Sequence, residues 1–246
     1  FERDNDAFHT YDEGYGTHGD GVARSAASEG NNGGGIGVCP NCAILPLRVG
    51  DTFVTDGARS AEAIAYGVQM NAAAITMAIG ALGTSAGMEQ VVAHAYEQGT
   101  LLVGAAGDEN SYHHNFPAVL NNVIFVHSIS HITGDDDGQV YSYFNTWNCN
   151  NFGSRMDLVA AESACATGAV AQTVGAIGML QSAALENDTE LKSGEAYQLL
   201  IQSATDVNLS EEDRAAAKAY PSAEGWDPFH GYGRLDVVAA VERDYQ

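Results

Sequence analysis

Two of the four cysteines have a spacing that could support chemistry. Cys39 and Cys42 enclose Pro-Asn in a CxxC motif, which is compatible with a redox-active pair, half of a zinc site or a tight structural disulfide. The chain has no second CxxC motif, and no thioredoxin-like helix start follows this one, so a disulfide is the favoured interpretation. Cys149 and Cys165 complete an even set. An even set predicts an oxidising compartment, and therefore an extracellular or cell-surface location.

Histidine and aspartate clusters could in principle bind metal. His113 and His114 are adjacent, and His127 and His131 follow further along the chain. No spaced cysteine or carboxylate completes a ligand set with them, so we predict surface and strand-end histidines. The acidic run Asp135–Asp137 could coordinate calcium, but a solvated loop is the favoured interpretation.

The charge of the chain excludes some classes of partner. Its 32 acidic and 10 basic side chains give a formal net charge of -22, and the only lysines are Lys192 and Lys218. Because such a surface repels polyanions, we expect no nucleic-acid partner. No apolar run approaches the roughly 20 residues that span a bilayer, so we expect no membrane span. The abrupt polar start at Phe1 predicts a fragment of a larger precursor.

The elements that must position these groups follow from apolar periodicity. The predicted buried strands are Ala43–Val49, Ala73–Ile79, Leu101–Ala106 and Val123–Ile129. Helical spacing of apolar residues is found in 61–68, 91–95, Ala166–Ala184, Lys192–Ser203 and Leu235–Arg243. The strand runs lack alternation, which is typical of parallel sheets covered on both faces. We therefore predict a single α/β domain over residues 1–246, a doubly wound three-layer parallel sheet.

Blocks of sequence spread over nearly the whole chain carry a family signature. They are Tyr15–His18, Gly35–Asp51, Ala74–Gly80, Leu101–Asn110, Asn115–Ser130, Ser163–Leu180 and Gly225–Val241. In this order and spacing they resemble the motif blocks of the subtilases, the subtilisin-like serine proteases. The resemblance implies a doubly wound parallel sheet, which is the class that periodicity predicts independently.

The resemblance also identifies the positions at which a subtilase performs acyl transfer. That reaction needs a nucleophile, an imidazole base, an orienting carboxylate and donors for the oxyanion. Tyr15 stands at the position of the base, and a phenol with an ordinary pKa of about 10 cannot deprotonate a serine near neutral pH. Ala164, at the position of the nucleophile, has no nucleophilic atom. Asp108 replaces the oxyanion amide with an anion, which opposes the developing negative charge.

Further positions implied by the resemblance concern binding and structure. His18 matches a structural histidine of the family. The strand that borders the substrate contains Ala78, Ile79 and Gly80. The loop that binds structural calcium in many relatives contains Asn31, Gly33 and Gly35, a partial match because no acidic ligand can be assigned there.

Cys165 lies near the predicted start of a helix, and its role has two interpretations. A helix N-terminus lowers a thiol pKa, which would make Cys165 a candidate nucleophile. Cys149 is left once Cys39 and Cys42 pair, and the segments of Cys149 and Cys165 flank the same site in the family. A Cys149 to Cys165 disulfide is therefore favoured.

These residues predict three classes of function. The leading hypothesis is a catalytically inactive subtilisin-like domain, a pseudoprotease with a structural, adhesive or assembly role in a secreted or surface protein. The rival is a serine endopeptidase that takes its missing groups from another segment or a partner. The third is a calcium-dependent binding module. The triad carboxylate would lie on a strand upstream of Tyr15, so we expect a segment N-terminal to Phe1, a partner or a neighbouring subunit to complete the sheet.

Overall fold

The architecture combines one sheet with helices packed around it. The structure is a computed structural model, and it describes residues 18–31, 33–50, 54–113, 115–131, 140–141, 150–162, 165–217 and 219–244. Within those residues the helices are α1 (His18–Ala27), α2 (Gly57–Gln69), α3 (Ala86–Glu97), α4 (Ala166–Glu186), α5 (Ser193–Ser203), α6 (Glu211–Ala217) and α7 (Val237–Asp244). The strands are β1 (Ala74–Met77), β2 (Leu101–Ala105), β3 (Val123–His131), β4 (Val140–Tyr141) and β5 (Leu158–Ala161).

Four strands form a parallel sheet in the order β1-β2-β3-β5. Ala74 lies opposite Leu101 in the β1–β2 pair, and Val126 lies opposite Leu158 in the β3–β5 pair. Strand β4 adds a short antiparallel pairing to the end of β3. The parallel sheet flanked by helices confirms the predicted three-layer α/β fold.

Strand β2 shows how the two helical layers cover the sheet, since all five of its residues are buried. Successive side chains of a strand point to opposite faces. Leu102 packs with Ile64 of α2 and Val92 of α3 in one apolar cluster. Leu101 and Val103 belong to the larger cluster on the opposite face, which α4, α5 and α7 cover. The sheet is therefore the middle of three layers.

Two of the helices start at side-chain caps that the sequence supplies. Asp56 accepts a hydrogen bond from the Ala58 N–H at 2.8 Å at the start of α2. Ser85 accepts one from the Met88 N–H at 3.1 Å at the start of α3. Such caps contribute about 1 kcal/mol each. Gly99 follows the end of α3 with a φ of 89°, a left-handed conformation that favours glycine.

Helix α4 is the central helix of the fold. It contacts all four parallel strands and also packs against α1, α5 and α7. Its 21 residues, with a mean hydropathy of 1.2 over an 18-residue window, have the length and composition of a bilayer span, and no other helix in the described residues does. The expectation that the chain has no membrane span stays a prediction. Core helices meet the same criterion, and α4 is a core helix here.

The predicted strand Ala43–Val49 is not a strand in the structure. Residues 42–50 take no part in any β-bridge, and Ile44 is 50% exposed. The prediction was wrong because apolar composition favours a strand, but a strand also needs a neighbour to pair with. Among the described residues no strand lies beside this segment.

Candidate functional site

Asp108 lies just beyond the carboxyl end of β2 and contacts the start of α4. Its Oδ1 accepts a hydrogen bond from the Ala166 N–H at 3.1 Å. The first N–H groups of a helix carry partial positive charge, so they attract an anion. Partial burial of the carboxyl group raises the pKa of Asp108; the Ala166 hydrogen bond opposes this rise and the charge of Glu109 adds to it. The predicted oxyanion position therefore holds a carboxyl group directed at the helix terminus.

The loop that carries Asp108 is held in place by Asn151. The Asn151 Oδ1 accepts hydrogen bonds from the Glu109 N–H at 3.1 Å and the Ser111 N–H at 3.2 Å. Its Nδ2 donates to the Ala106 carbonyl at 3.1 Å and to the Glu109 carboxylate. Asn151 is fully buried. Sequence reasoning missed this residue, since an Asn-Asn pair in an irregular segment has no periodicity to mark it.

The predicted substrate-edge residues Ala78, Ile79 and Gly80 follow directly after β1. The Gly80 carbonyl accepts a hydrogen bond from the Thr55 N–H at 3.0 Å, and the Asn115 side chain donates to the Ile79 carbonyl at 3.3 Å. The Ala81 N–H in turn donates to the Phe116 carbonyl at 2.8 Å. A peptide that paired with this edge would have to displace at least part of this set.

Two of the three positions at which the sequence predicts a replaced catalytic group lie outside the described residues. They are Tyr15 and Ala164, and Cys149 and the acidic run Asp135–Asp137 also lie outside them. Ala166, which binds Asp108, comes two residues after Ala164 in the sequence.

The cysteines of the described residues are all in disulfides. Cys39 and Cys42 are bonded to each other, with their Cα atoms 5.4 Å apart. Cys165 occupies the N-cap position of α4 and is also disulfide-bonded. A disulfide sulfur is not a thiolate, so Cys165 in this state is not a nucleophile.

Among the described residues there is no group of three or more His, Cys, Asp and Glu side chains that could hold a metal ion. The predicted calcium loop is exposed at all three of its predicted positions, Asn31, Gly33 and Gly35.

His113 is exposed, as predicted for a surface histidine. His18 is the first residue of α1; it is half-buried, and burial lowers its pKa.

The prediction for His127 was wrong, because this residue lies in the middle of β3 and is fully buried. Its Nδ1 lies 2.7 Å from the Ser128 carbonyl, and its Nε2 contacts the Phe229 carbonyl. Burial lowers the pKa of His127 to about 4, although these two carbonyls favour the protonated ring. Strand β3 extends two residues beyond its predicted end, which moved His127 from the strand end to its interior.

A second buried histidine lies near His127. The His230 Nδ1 is 3.1 Å from the Asp227 carboxylate, and both side chains are almost fully buried. Burial would raise the pKa of Asp227, but hydrogen bonds from the His230 ring and from the Phe229 and His230 N–H groups outweigh it and lower the pKa. Tyr220 stacks on Phe229 with ring centroids 5.1 Å apart. This cluster joins the C-terminal segment to the sheet.

Comparison with known proteins identifies the family to which this chain belongs. Residues 2–195 match the subtilase family (Peptidase_S8), so the chain belongs to that family. The chain is 32% identical over 161 residues to thermitase of Thermoactinomyces vulgaris, covering 65% of this chain and 53% of that protein. It is 28% identical over 246 residues to the halolysin-like extracellular serine protease Nep of Natrialba magadii, covering 94% of this chain and 39% of that protein. The chain thus spans about half or less of the length of these two relatives.

Solved structures show the same fold. The prenylagaramide maturation protease PagA superposes with a TM-score of 0.73 at 19% identity, covering 92% of this chain and 82% of that one. The self-cleaved protease domain of PatA superposes with a TM-score of 0.69 at 21% identity, covering 98% of this chain and 85% of that one. At this level of identity the likeness concerns the fold alone.

Proposed function

We propose that this chain is a subtilisin-like domain that has lost catalysis and serves a structural, adhesive or assembly role. The observation that carries the proposal is the hydrogen bond between the Asp108 carboxyl group and the Ala166 N–H at 3.1 Å. Acyl transfer needs donors directed at the oxygen on which negative charge develops. Here a carboxyl group lies at the helix start where such donors would act, and an ionised carboxylate there would repel a second negative charge.

Two further features support the loss of catalysis. At the aligned positions, Ala164 has no nucleophilic oxygen and Tyr15 has no basic imidazole. The Gly80 carbonyl on the predicted substrate edge is already bound to the Thr55 N–H. A substrate strand would therefore find neither a reacting group nor a free carbonyl at this position.

Labelling with a fluorophosphonate tests the proposal, because an activated serine oxygen attacks the phosphorus of this reagent, displaces fluoride and becomes phosphonylated. We expect the native chain to show no labelling and no hydrolysis of casein. The Ala164→Ser variant should also fail, since Tyr15 leaves the new serine without a base. Stoichiometric labelling of the native chain at any residue would overturn the proposal.

One observation favours the rival, an active endopeptidase that takes missing groups from another segment or a partner. The pKa of Asp108 is raised, and a protonated carboxyl group can donate a hydrogen bond to an oxyanion. The named relatives are proteases. Casein hydrolysis that appears only at acid pH, and disappears in Asp108→Ala, would support the rival.

The proposal also includes an extracellular or cell-surface location and, as a further candidate role, calcium-dependent binding. The Cys39–Cys42 disulfide supports an extracellular or cell-surface location, and one relative is named as an extracellular protease. A calcium-dependent binding role rests on the loop that contains Asn31, Gly33 and Gly35. Thermal melting with calcium chloride and then with a chelator tests it, and an unchanged Tm would count against it.

A further inference from the structure

The chain contains two Asn-X-Ser/Thr motifs, the sequence in which an asparagine side chain accepts an N-linked glycan. One is Asn187-Asp188-Thr189, and the other is Asn208-Leu209-Ser210. A motif of three residues also occurs by chance, so the sequence alone does not separate a used site from an unused one. The structure separates them, because their side chains have different surroundings.

The first motif folds back onto the end of the core helix α4. Asn187 is the C-cap residue of this helix, and its Nδ2 donates to the Ala183 carbonyl at 2.9 Å. The Thr189 hydroxyl and N–H both donate to the Ala184 carbonyl at 3.0 Å. Asp188 has a φ of 54°, in the left-handed region, so the motif is turned and not extended. Its amide nitrogen and its hydroxyl are therefore both occupied.

The second motif lies in the irregular stretch between α5 and α6. Residues 206–210 belong to no helix, strand or turn. Val207 is buried, Asn208 is exposed and Leu209 is half-buried, an alternation that is typical of an extended chain. Among the described residues no hydrogen bond holds the Asn208 side chain. Its amide nitrogen can therefore accept a substituent without losing a contact.

The hydroxyl of the second motif is engaged, but only by a short helix. Ser210 Oγ accepts the Asp213 N–H at 3.0 Å and donates to the Asp213 carboxylate at 2.6 Å, which caps α6. Helix α6 has seven residues, and its first residues Glu211 and Glu212 are exposed. A short exposed helix opens locally at a lower free energy than a buried one. The Asn208 motif is therefore released more easily than the motif held by α4.

We propose that Asn208 is the acceptor of an N-linked glycan and that Asn187 is not. This modification rests on the extracellular or cell-surface location proposed above, because the motif is used in secreted chains. The co-reactant is an oligosaccharide linked to a lipid phosphate or pyrophosphate. The Asn208 Nδ2 forms a bond to the anomeric carbon of the sugar and loses one proton. The bond from that carbon to the phosphate oxygen breaks, and the phosphorylated lipid leaves with the electron pair.

The folded domain tolerates a glycan at one position better than at the other. At Asn208 the sugar would extend into solvent from an exposed side chain that makes no hydrogen bond within the described residues. At Asn187 it would crowd the 2.9 Å contact between Nδ2 and the Ala183 carbonyl, where Ala183 is buried. A bulky substituent there would disturb the end of α4, the helix that packs on all four parallel strands.

Peptide mapping by mass spectrometry tests the proposal without relying on activity. The full polypeptide that contains this chain is directed through the secretory pathway of a eukaryotic host, which supplies the transferase and its lipid-linked donor. Cleavage after lysine and arginine places the two motifs in separate peptides, 156–192 and 193–214. We expect the mass of a glycan on peptide 193–214 and an unmodified peptide 156–192.

Matched variants assign the glycan to one side chain. Asn208→Gln should lose the glycan, whereas Asn187→Gln should retain it. Ser210→Ala should also lose it, and Ser210→Thr should retain it, because threonine keeps the hydroxyl that the motif requires. Asn208→Gln leaves the cap of α6 intact, so loss of the glycan in this variant does not depend on the stability of that helix. Circular dichroism of each secreted variant establishes that the domain is folded.

Two results would overturn the proposal. The first is an unmodified peptide 193–214 in the folded, secreted protein. The second is a glycan on peptide 156–192 that is as abundant as the one on peptide 193–214, since the hydrogen bonds of Asn187 would then not protect it.

These outcomes are distinct from a failure of the proposed location. The host imposes secretion, so its result reports on the acceptor site alone. The same peptide mapping of protein isolated from its own source reports on location as well. A glycan on peptide 193–214 in the extracellular fraction would support both proposals. Recovery of the protein only from inside cells would contradict the proposed location, and the result from the host would still decide whether Asn208 is an acceptor.

Discussion

Asp108 shows how a single side chain determines what a helix terminus can bind. Its carboxyl group accepts the Ala166 N–H, and buried Asn151 fixes the loop that carries it. A loop anchored through both ends of one amide side chain has little freedom to move Asp108 away. The same interactions that would oppose an oxyanion therefore stabilise the start of α4.

Replacing Asp108 should reveal this structural contribution. Asp108→Ala removes the acceptor at the start of α4 and should lower the free energy of unfolding by about 1 kcal/mol, the usual value of a lost helix cap. Asp108→Asn keeps an acceptor and serves as the control, with a smaller loss. Urea denaturation measures both, and equal losses in the two variants would contradict a capping role.

His127 should make the stability of the domain depend on pH. Its pKa is about 4 in the folded protein, below the usual 6.5, so the unfolded chain binds more protons between these values. The contribution of His127 to the free energy of unfolding is fully present above pH 6.5. It decreases as the pH falls toward 4, by about 3 kcal/mol in all.

The variant His127→Gln isolates this contribution, because glutamine does not titrate. The difference between the two unfolding free energies, measured from pH 4 to 8, should slope upward with pH. Asp108 and Asp157 have raised pKa values and act in the opposite direction, but they are present in both proteins. If the unfolding free energies of the two proteins changed with pH in parallel, His127 would be ruled out as the source of the pH dependence.

At the level of elements, apolar periodicity predicted the helices and strands that have a regular apolar pattern within their own sequence. Helices α4 and α5 begin within one residue of their predicted starts, and β1, β2 and β3 lie within or around the predicted runs. The helix α6 (Glu211–Ala217) was missed because Glu-Glu-Asp-Arg carries no apolar stripe. Segment 43–50 was misassigned because its pairing depends on a neighbour that the sequence of the segment does not encode. The role of Asn151 could not be predicted either, because it depends on hydrogen bonds to residues about 40 positions away in the sequence.

The close packing of α4 predicts a large effect from a small substitution. A Cβ atom at Gly175 would lie 2.7 Å from the Val38 Cβ and 2.9 Å from the Ala26 carbonyl oxygen, so Gly175→Ala should destabilise by about 1 to 3 kcal/mol. Gly21 in α1 has nothing within 4 Å of such an atom. Gly21→Ala should therefore be neutral or stabilising by up to about 1 kcal/mol. Thermal melting of both variants measures this contrast, and similar Tm changes would contradict it.

At the level of the whole molecule, the formal net charge of -22 sets the conditions under which the fold is stable. Like charges over a compact surface repel one another, and this self-repulsion destabilises the folded state relative to the expanded chain. Salt shortens the range of the repulsion from about 10 Å at 0.1 M to about 3 Å at 1 M. The Tm should therefore rise steadily with sodium chloride over this range.

A charge-reduced variant distinguishes screening from a general effect of salt on apolar burial. Glu62, Glu190 and Glu224 are all exposed, so changing each to glutamine removes three negative charges without touching the core. We expect the triple variant to melt at a higher temperature than the native chain in low salt, and the difference to shrink as sodium chloride approaches 1 M. A difference that stays constant with salt would mean that these charges act through local contacts, and a lower Tm in low salt would contradict self-repulsion at these positions.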